Sequence, residues 1–114
     1  MNASQKPGYQ NLTTTQVKEK LDRGDIFRLI DVREEAEHAI ARIEGAELLP
    51  LSRAQNWLTQ LAPDEELVFF CHVGGRSQQV ASYLAHQLGF TNVANMLGGI
   101  EDWSLQIDPS VPRY

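Results

Sequence analysis

The residues most able to do chemistry lie in the segment CHVGGRS, which runs from Cys71 to Ser77. Cys71 is the single cysteine of this 114-residue chain, and it directly follows the apolar run ELVFF. Two glycines and Arg76 come next, and then an amphipathic pattern that predicts a helix. Ligands of parallel α/β sheets bind outside the carboxyl ends of the strands, so this is a suitable place for a reactive thiol.

The loop after Cys71 is predicted to bind an anion. A helix N-terminus offers free backbone N–H groups and the positive end of the helix dipole. Gly74 and Gly75 can adopt positive φ and turn their N–H groups inward, while Arg76 adds a cation with a planar fork for oxyanions. Such surroundings lower the pKa of a thiol from its free value of ~8.5. The residues assigned to this loop are His72, Val73, Gly74, Gly75, Arg76 and Ser77.

These features predict that the Cys71 thiolate attacks an electrophile that carries negative charge. A lone cysteine is more often a small buried side chain, and a glycine pair is more often a turn. A buried filler, however, is expected inside the apolar run of residues 67–70 and not at its exit. The combination of cysteine, glycine pair, arginine and helix start favours the nucleophile.

Short apolar runs alternate with amphipathic runs along the whole chain, which predicts an α/β domain with a mostly parallel sheet. The segments predicted as strands are the start of YQNLTTTQVKEKLDRGD and the runs IFRLIDV, AELLPL, ELVFF and TNVANM. The continuous apolar character of ELVFF is typical of a central parallel strand covered on both faces.

Five amphipathic runs predict helices. The first is capped by Thr13 or Thr14 and ends at Gly24, with Val17 and Leu21 on its apolar face. Another covers SRAQNWLTQLA, beginning at Ser52 and ending before Pro63. The helix after Cys71 is expected to bury Val80, Tyr83, Leu84 and Leu88, and the remaining two cover REEAEHAI and GGIEDWSLQI.

Composition and charge exclude several classes of protein. The chain has 42% hydrophobic residues and a net charge of −5, which argues against nucleic acid as the main partner. No apolar run approaches the ~18 residues of a membrane span. The N-terminal segment lacks the apolar middle of a signal peptide, so we expect a cytoplasmic protein. One cysteine and three scattered histidines suggest no metal site, and no cofactor is expected.

Three segments resemble the single-domain rhodaneses, a family of sulfurtransferases. They are LIDVREEAEHAIARIEGAELLPL at residues 29–51, VFFCHVGGRSQQVASYLAHQLGF at residues 68–90, and VANMLGGIEDWSLQIDP at residues 93–109. The resemblance covers about residues 9–108, which leaves an N-terminal extension at residues 1–8 and an extended C-terminal tail at residues 109–114.

The resemblance implies a five-stranded, mostly parallel sheet flanked by helices on both faces. It also implies a thiosulfate:cyanide sulfurtransferase, in which Cys71 takes a sulfane sulfur from thiosulfate or a persulfide donor. The resulting persulfide passes its sulfur to cyanide, a thiol or a sulfur-carrier protein. The loop from Cys71 to Arg76 has six residues, as sulfur-handling members typically do. Related phosphatases and arsenate reductases typically have a loop one residue longer.

Further residues are weighed in the light of this resemblance. Asp31 and Arg33 end a strand predicted to neighbour that of Cys71, where they either tune the field at the thiol or form a structural ion pair. Ser77 is expected to cap the helix and could donate a hydrogen bond to the bound sulfur. His72 is expected to line the mouth of the site or to face solvent.

Two segments depart from the usual pattern or extend it. In ARIEGA, residues 41–46, Arg42 and Glu44 replace a histidine and a proline that family members often carry. We interpret Arg42 as a solvated charge. The tail IDPSVPRY resembles the end of rhodanese domains fused to E1-like enzymes, which suggests a protein acceptor. Alternatively, the tail packs back on the domain through Val111 and Tyr114.

Two other functions compete with sulfur transfer. A cysteine-dependent phosphatase or arsenate reductase is disfavoured by the loop length, and a reductase also by the lack of a second cysteine. A non-enzymatic interaction module is disfavoured because Cys71, both loop glycines and Arg76 are all present.

Overall fold

One parallel sheet of five strands forms the centre of the fold. The computed structural model describes residues 8–114, so most of the expected N-terminal extension at residues 1–8 lies outside the described residues. Every strand pairing is parallel, and the order across the sheet is β1-β5-β4-β2-β3. The strands β1 to β5 are Gln10–Leu12, Arg28–Asp31, Glu47–Leu48, Leu67–Phe70 and Val93–Met96. The predicted five-stranded, mostly parallel α/β fold is confirmed.

Helices cover both faces of the sheet. The helices α1 to α5 are Thr14–Arg23, Glu35–Ile40, Ala54–Trp57, Gly75–Gln87 and Gly99–Gln106. Side chains of α3 and α4 share one buried cluster, while those of α1 and α5 share the other. Within residues 8–114, no helix is long and apolar enough to cross a membrane.

Strand β4 lies in the middle of the sheet, between β5 and β2. Its four residues are no more than 1% exposed, because alternate side chains pack into the two clusters. Leu67 and Phe69 pack toward α4, whereas Val68 and Phe70 pack toward α1 and α5. This position places Cys71, the next residue, in the centre of the carboxyl edge of the sheet.

The end signals of α1 act as the sequence predicts. Thr13 is the N-cap, its hydroxyl accepts a hydrogen bond from the Gln16 N–H, and the Gln16 side chain accepts one from the Thr13 N–H. Gly24 ends the helix with φ of 74°, a left-handed conformation that glycine adopts without steric cost.

The prediction of one continuous helix from Ser52 to the residue before Pro63 is wrong. Two short 3-10 segments, Leu51–Arg53 and Leu58–Gln60, flank the four-residue α3. The Ser52 hydroxyl and N–H both bond to the carboxylate of Glu34 instead of capping a helix. The buried Trp57 side chain donates to the Pro50 carbonyl over 2.9 Å. Contacts with other parts of the chain therefore outweigh the local helical pattern.

The apolar faces of α1 and α4 are narrower than predicted. Leu21, Tyr83 and Leu88 are 38%, 48% and 43% exposed, respectively. The buried positions of α4 are Ser77, Val80, Ala81 and Leu84. The helix packs on the sheet along this one stripe, so the apolar residues beside it remain in contact with water.

Candidate active site

Two backbone hydrogen-bond donors converge on the thiol of Cys71. Its Sγ accepts from the Gly74 N–H at 3.1 Å and the Ser77 N–H at 3.4 Å, and the Ser77 hydroxyl oxygen lies 3.4 Å away. Both backbone donors lie at the beginning of α4, where N–H groups have no partner within the helix. Donors in this arrangement favour negative charge on the sulfur.

Burial alone does not distinguish Cys71 from its neighbours. The residue is only 1% exposed, much like the strand residues before it, although the sequence suggested that a filler would sit inside the strand. What sets it apart is the set of hydrogen-bond donors around its sulfur, since the strand side chains before it are apolar and belong to the two buried clusters.

The two loop glycines differ in conformation. Gly74 has φ of 108°, a value that favours glycine, and its N–H points at Sγ. Gly75 is the first residue of α4 and does not have positive φ. The prediction of a left-handed conformation is therefore right for Gly74 and wrong for Gly75.

Ser77 does not cap α4, contrary to the prediction. The N-cap is Gly74, and no side chain caps the helix. The Ser77 hydroxyl instead lies 2.6 Å from Asn95 Oδ1 and 3.4 Å from Cys71 Sγ. Asn95, a buried residue of β5, was not singled out from the sequence. A polar residue in an otherwise apolar strand was the signal that could have revealed it.

A second glycine pair, Gly98 and Gly99, lies against the backbone of Cys71 and His72. The N–H groups of Ile100 and Glu101 donate to the carbonyls of Cys71 and His72 at 2.9 and 3.0 Å. A Cβ atom at Gly99 would lie 2.4 Å from the Cys71 carbonyl oxygen and 2.5 Å from that of His72. The sequence pattern of this pair predicts the start of a helix, but not its close approach to the loop after β4.

Arg76 is already paired. Its Nη1 and Nη2 donate to the two carboxylate oxygens of Glu37 at 2.7 and 2.9 Å. This pairing is the main reason why the pKa of Glu37 falls from 4.5 to about 2, so the pair is fully charged at neutral pH. The sequence predicted a fixed positive charge that offers its planar fork to oxyanions, and Glu37 was not among the predicted site residues.

Asp31 and Arg33 form an ion pair with both side chains fully buried. Arg33 Nε and Nη2 donate to the carboxylate of Asp31 at 2.9 and 2.7 Å. Arg33 also donates to the carbonyls of Glu37 and Ala41. The pair thus ties the end of β2 to α2 and the residues after it, as a structural ion pair would.

The C-terminal tail packs back onto the domain. Val111 is buried, and the Tyr114 ring stacks on His72 with centroids 4.0 Å apart and an interplanar angle of 10°. The Tyr114 hydroxyl donates to Glu37 Oε2 and accepts from Arg33 Nη1. Burial is the main cause that raises the pKa of this tyrosine, which keeps its proton in place. The packing interpretation of the tail is confirmed.

The remaining candidate positions do not form a binding site among the described residues. Arg42 and Glu44 are exposed, and Arg42 makes no ion pair with the described residues. Within residues 8–114, no group of three or more histidine, cysteine, aspartate or glutamate side chains is arranged to hold a metal ion.

The chain is similar in sequence to a known family of proteins. Residues 13–106 match the family model described as Rhodanese-like domain. The chain is 44% identical over 94 residues to Rhodanese-like/PpiC domain-containing protein 12, chloroplastic, of Arabidopsis thaliana, covering 79% of this chain and 31% of the relative. It is 31% identical over 115 residues to the probable adenylyltransferase/sulfurtransferase MoeZ of Mycobacterium tuberculosis, covering 99% of this chain and 29% of the relative.

A solved structure agrees with these matches. The human single-domain sulfurtransferase TSTD1 superposes with a TM-score of 0.71 and is 32% identical, covering 84% of this chain and 96% of that one. By contrast, this chain spans less than a third of the length of the two curated relatives above.

Proposed function

The chain belongs to the Rhodanese-like domain family, and we propose that it is a sulfurtransferase in which Cys71 carries the sulfur. One observation carries the proposal: the N–H groups of Gly74 and Ser77 both donate to Cys71 Sγ, beside which the Ser77 hydroxyl lies at 3.4 Å. The same donors can stabilise a thiolate before the reaction and a persulfide after it.

The first half of the reaction loads the enzyme. The Cys71 thiolate attacks the outer sulfur of thiosulfate, or the terminal sulfur of a persulfide donor. A new S–S bond forms at Sγ while the donor's own bond to that sulfur breaks. Sulfite or a thiolate leaves with the electron pair, and a persulfide anion remains on Cys71.

The second half returns the free thiolate. An acceptor nucleophile attacks the terminal sulfur, the Sγ–S bond breaks, and its electron pair stays on Cys71. Cyanide would give thiocyanate, a small thiol would give a new persulfide, and a thiol of a sulfur-carrier protein would give a persulfide on that carrier. The MoeZ relative is named as an adenylyltransferase/sulfurtransferase, which supports a protein acceptor as one option. The chemistry requires no nucleic acid, membrane or cofactor.

The loop residues have distinct roles in this proposal. Gly74 and Ser77 bind the sulfur, whereas Gly75 begins α4. His72 and Val73 connect Cys71 to them, and His72 also anchors the tail through Tyr114. Asp31 and Arg33 are positioning residues, because they fix α2 and the tail beside the loop without contacting the sulfur.

The test is to incubate the purified protein with thiosulfate, and separately with a cysteine desulfurase and cysteine, and to measure its intact mass. We expect the mass of one added sulfur atom, which cyanide then removes as thiocyanate. Cys71→Ser should gain none, because a hydroxyl cannot form the persulfide.

The opposite result would be no gain of sulfur from either source on folded wild-type protein. That would refute sulfur transfer and direct attention to phosphate esters or arsenate as substrates of the same thiol.

A further inference from the structure

The carboxylate of Glu37 is bound to the guanidinium of Arg76, the cation that the sequence assigned to an anionic donor. Arg76 has a planar fork of N–H groups, and both members that face α2 are taken by the two oxygens of Glu37. A bidentate arginine–carboxylate pair is among the strongest polar contacts available to a protein. A donor that needs this cation must displace Glu37 from it.

Glu37 is held in place by more than Arg76. The Glu34 N–H donates to its Oε1 at 3.1 Å, as part of a capping box at the start of α2. The Tyr114 hydroxyl donates to its Oε2 at 2.8 Å. Because three separate groups orient the carboxylate, the pair with Arg76 is preorganised.

The other arginines around the loop are also paired with carboxylates in the described part of the chain. Arg33 bonds to Asp31 in the interior. Arg113 bonds to Glu101, whose backbone N–H reaches the His72 carbonyl. The mouth of the site therefore offers backbone N–H groups to an incoming sulfur but no unpaired arginine to a second negative charge.

Resting on the proposed function, we infer that Glu37 is a specificity-determining residue that makes the site prefer a persulfide donor to thiosulfate. Thiosulfate carries two negative charges, and its sulfonate end gains most from a free guanidinium. A persulfide with an uncharged remainder carries one charge, located on the sulfurs that the Cys71 loop binds. Neutralising Arg76 thus penalises the dianion more than the persulfide.

The experiment compares two donors with cyanide as the common acceptor. The donors are thiosulfate and the persulfide of 2-mercaptoethanol, and the quantity is the ratio of their kcat/KM values. Glu37→Gln keeps the size of the side chain but removes its charge, so we expect the ratio to shift toward thiosulfate by about tenfold. The thiosulfate reaction of the variant should also become more sensitive to salt, because it then uses an unpaired cation.

A matched control is available on the same helix. Glu35→Gln removes the same charge from α2, but Glu35 pairs with Arg53 and does not contact the loop. We expect its donor ratio and salt dependence to match the wild type. Glu37→Asp is the second variant, in case Glu37→Gln does not fold: the shorter side chain cannot make the same bidentate contact, and a smaller shift in the same direction is expected.

The outcomes distinguish a failure of the role inferred for Glu37 from a failure of the proposed sulfur transfer. If both donors load Cys71 but Glu37→Gln and Glu37→Asp change the ratio no more than Glu35→Gln does, Glu37 does not determine donor choice while sulfur transfer stands. If neither donor, nor a cysteine desulfurase, loads the wild type, the proposed sulfur transfer itself fails and the inference fails with it.

Discussion

Two segments of this protein have the same local plan, a buried strand followed by a glycine pair and a helix. In one, β4 leads through Cys71 and His72 to Gly74 and Gly75; in the other, β5 leads through Leu97 to Gly98 and Gly99. The first segment carries the thiol, and Arg76 follows its glycines. The second carries acidic residues in the first turn of its helix.

The two glycine pairs differ in where a glycine is required. A Cβ atom at Gly75 would meet nothing within 4 Å, whereas one at Gly99 would lie 2.4 Å from the Cys71 carbonyl oxygen. The N–H groups after Gly99 bond to the carbonyls of Cys71 and His72. The pair beside the thiol thus shapes the sulfur site, while the pair on the next strand provides the close approach that holds this site in position.

The largest expected effect is that of Gly99→Ala. The new methyl group would collide with two backbone oxygens, and an alanine would also have to adopt φ of 59°. We expect the free energy of unfolding to fall by about 3 kcal/mol or more, measured by urea denaturation.

Gly24→Ala is the control for this change, since Gly24 has φ of 74° but open space around it. It should lose only the cost of the left-handed conformation, about 1–2 kcal/mol. Equal losses for the two variants would mean that the contact beneath Cys71 is not what requires a glycine at position 99.

Ser77→Ala should have an intermediate effect, because Ser77 joins the two segments. The change leaves the buried Asn95 side chain without its 2.6 Å partner and removes the polar hydroxyl that lies 3.4 Å from Cys71 Sγ. We expect a loss of about 1–2 kcal/mol in stability and a roughly fivefold slower loading of sulfur, measured by mass spectrometry over time.

Ser82→Ala on the same helix provides the comparison, because the hydroxyl of the half-buried Ser82 lies within hydrogen-bond distance of His86 and not of Cys71. If Ser77→Ala takes up sulfur at the same rate as Ser82→Ala, the Ser77 hydroxyl does not assist the loading of Cys71.

The smallest expected effect is that of Gly75→Ala, and its sign is reversed. Gly75 has helical conformation and open space, so alanine should stabilise the protein by about 0.4–1 kcal/mol, chiefly by restricting the unfolded chain. Urea denaturation measures it directly. Destabilisation by this variant would contradict the distinction drawn between the two glycine pairs.

Local patterns in the sequence were sufficient for the fold class and for the position of the thiol. Continuous apolar runs separated by amphipathic ones predicted the parallel sheet, and Cys71 lies at a strand end because ELVFF stops there. The same local reasoning failed for residues 52–62, where the helix is interrupted by contacts of Ser52 and Trp57 with other segments.

The sequence by itself determined that a cysteine, a left-handed glycine and a helix N-terminus occur together, since these residues are adjacent in the chain. Only the tertiary structure decided that Arg76 is neutralised by Glu37, that Asn95 bonds to Ser77, and that Tyr114 covers His72. Those partners are far apart in the chain, and they meet because the order of strands in the sheet brings α2, β5 and the tail to the same edge. Residue periodicity reports which face of an element is buried, but it holds no information on which element packs against it.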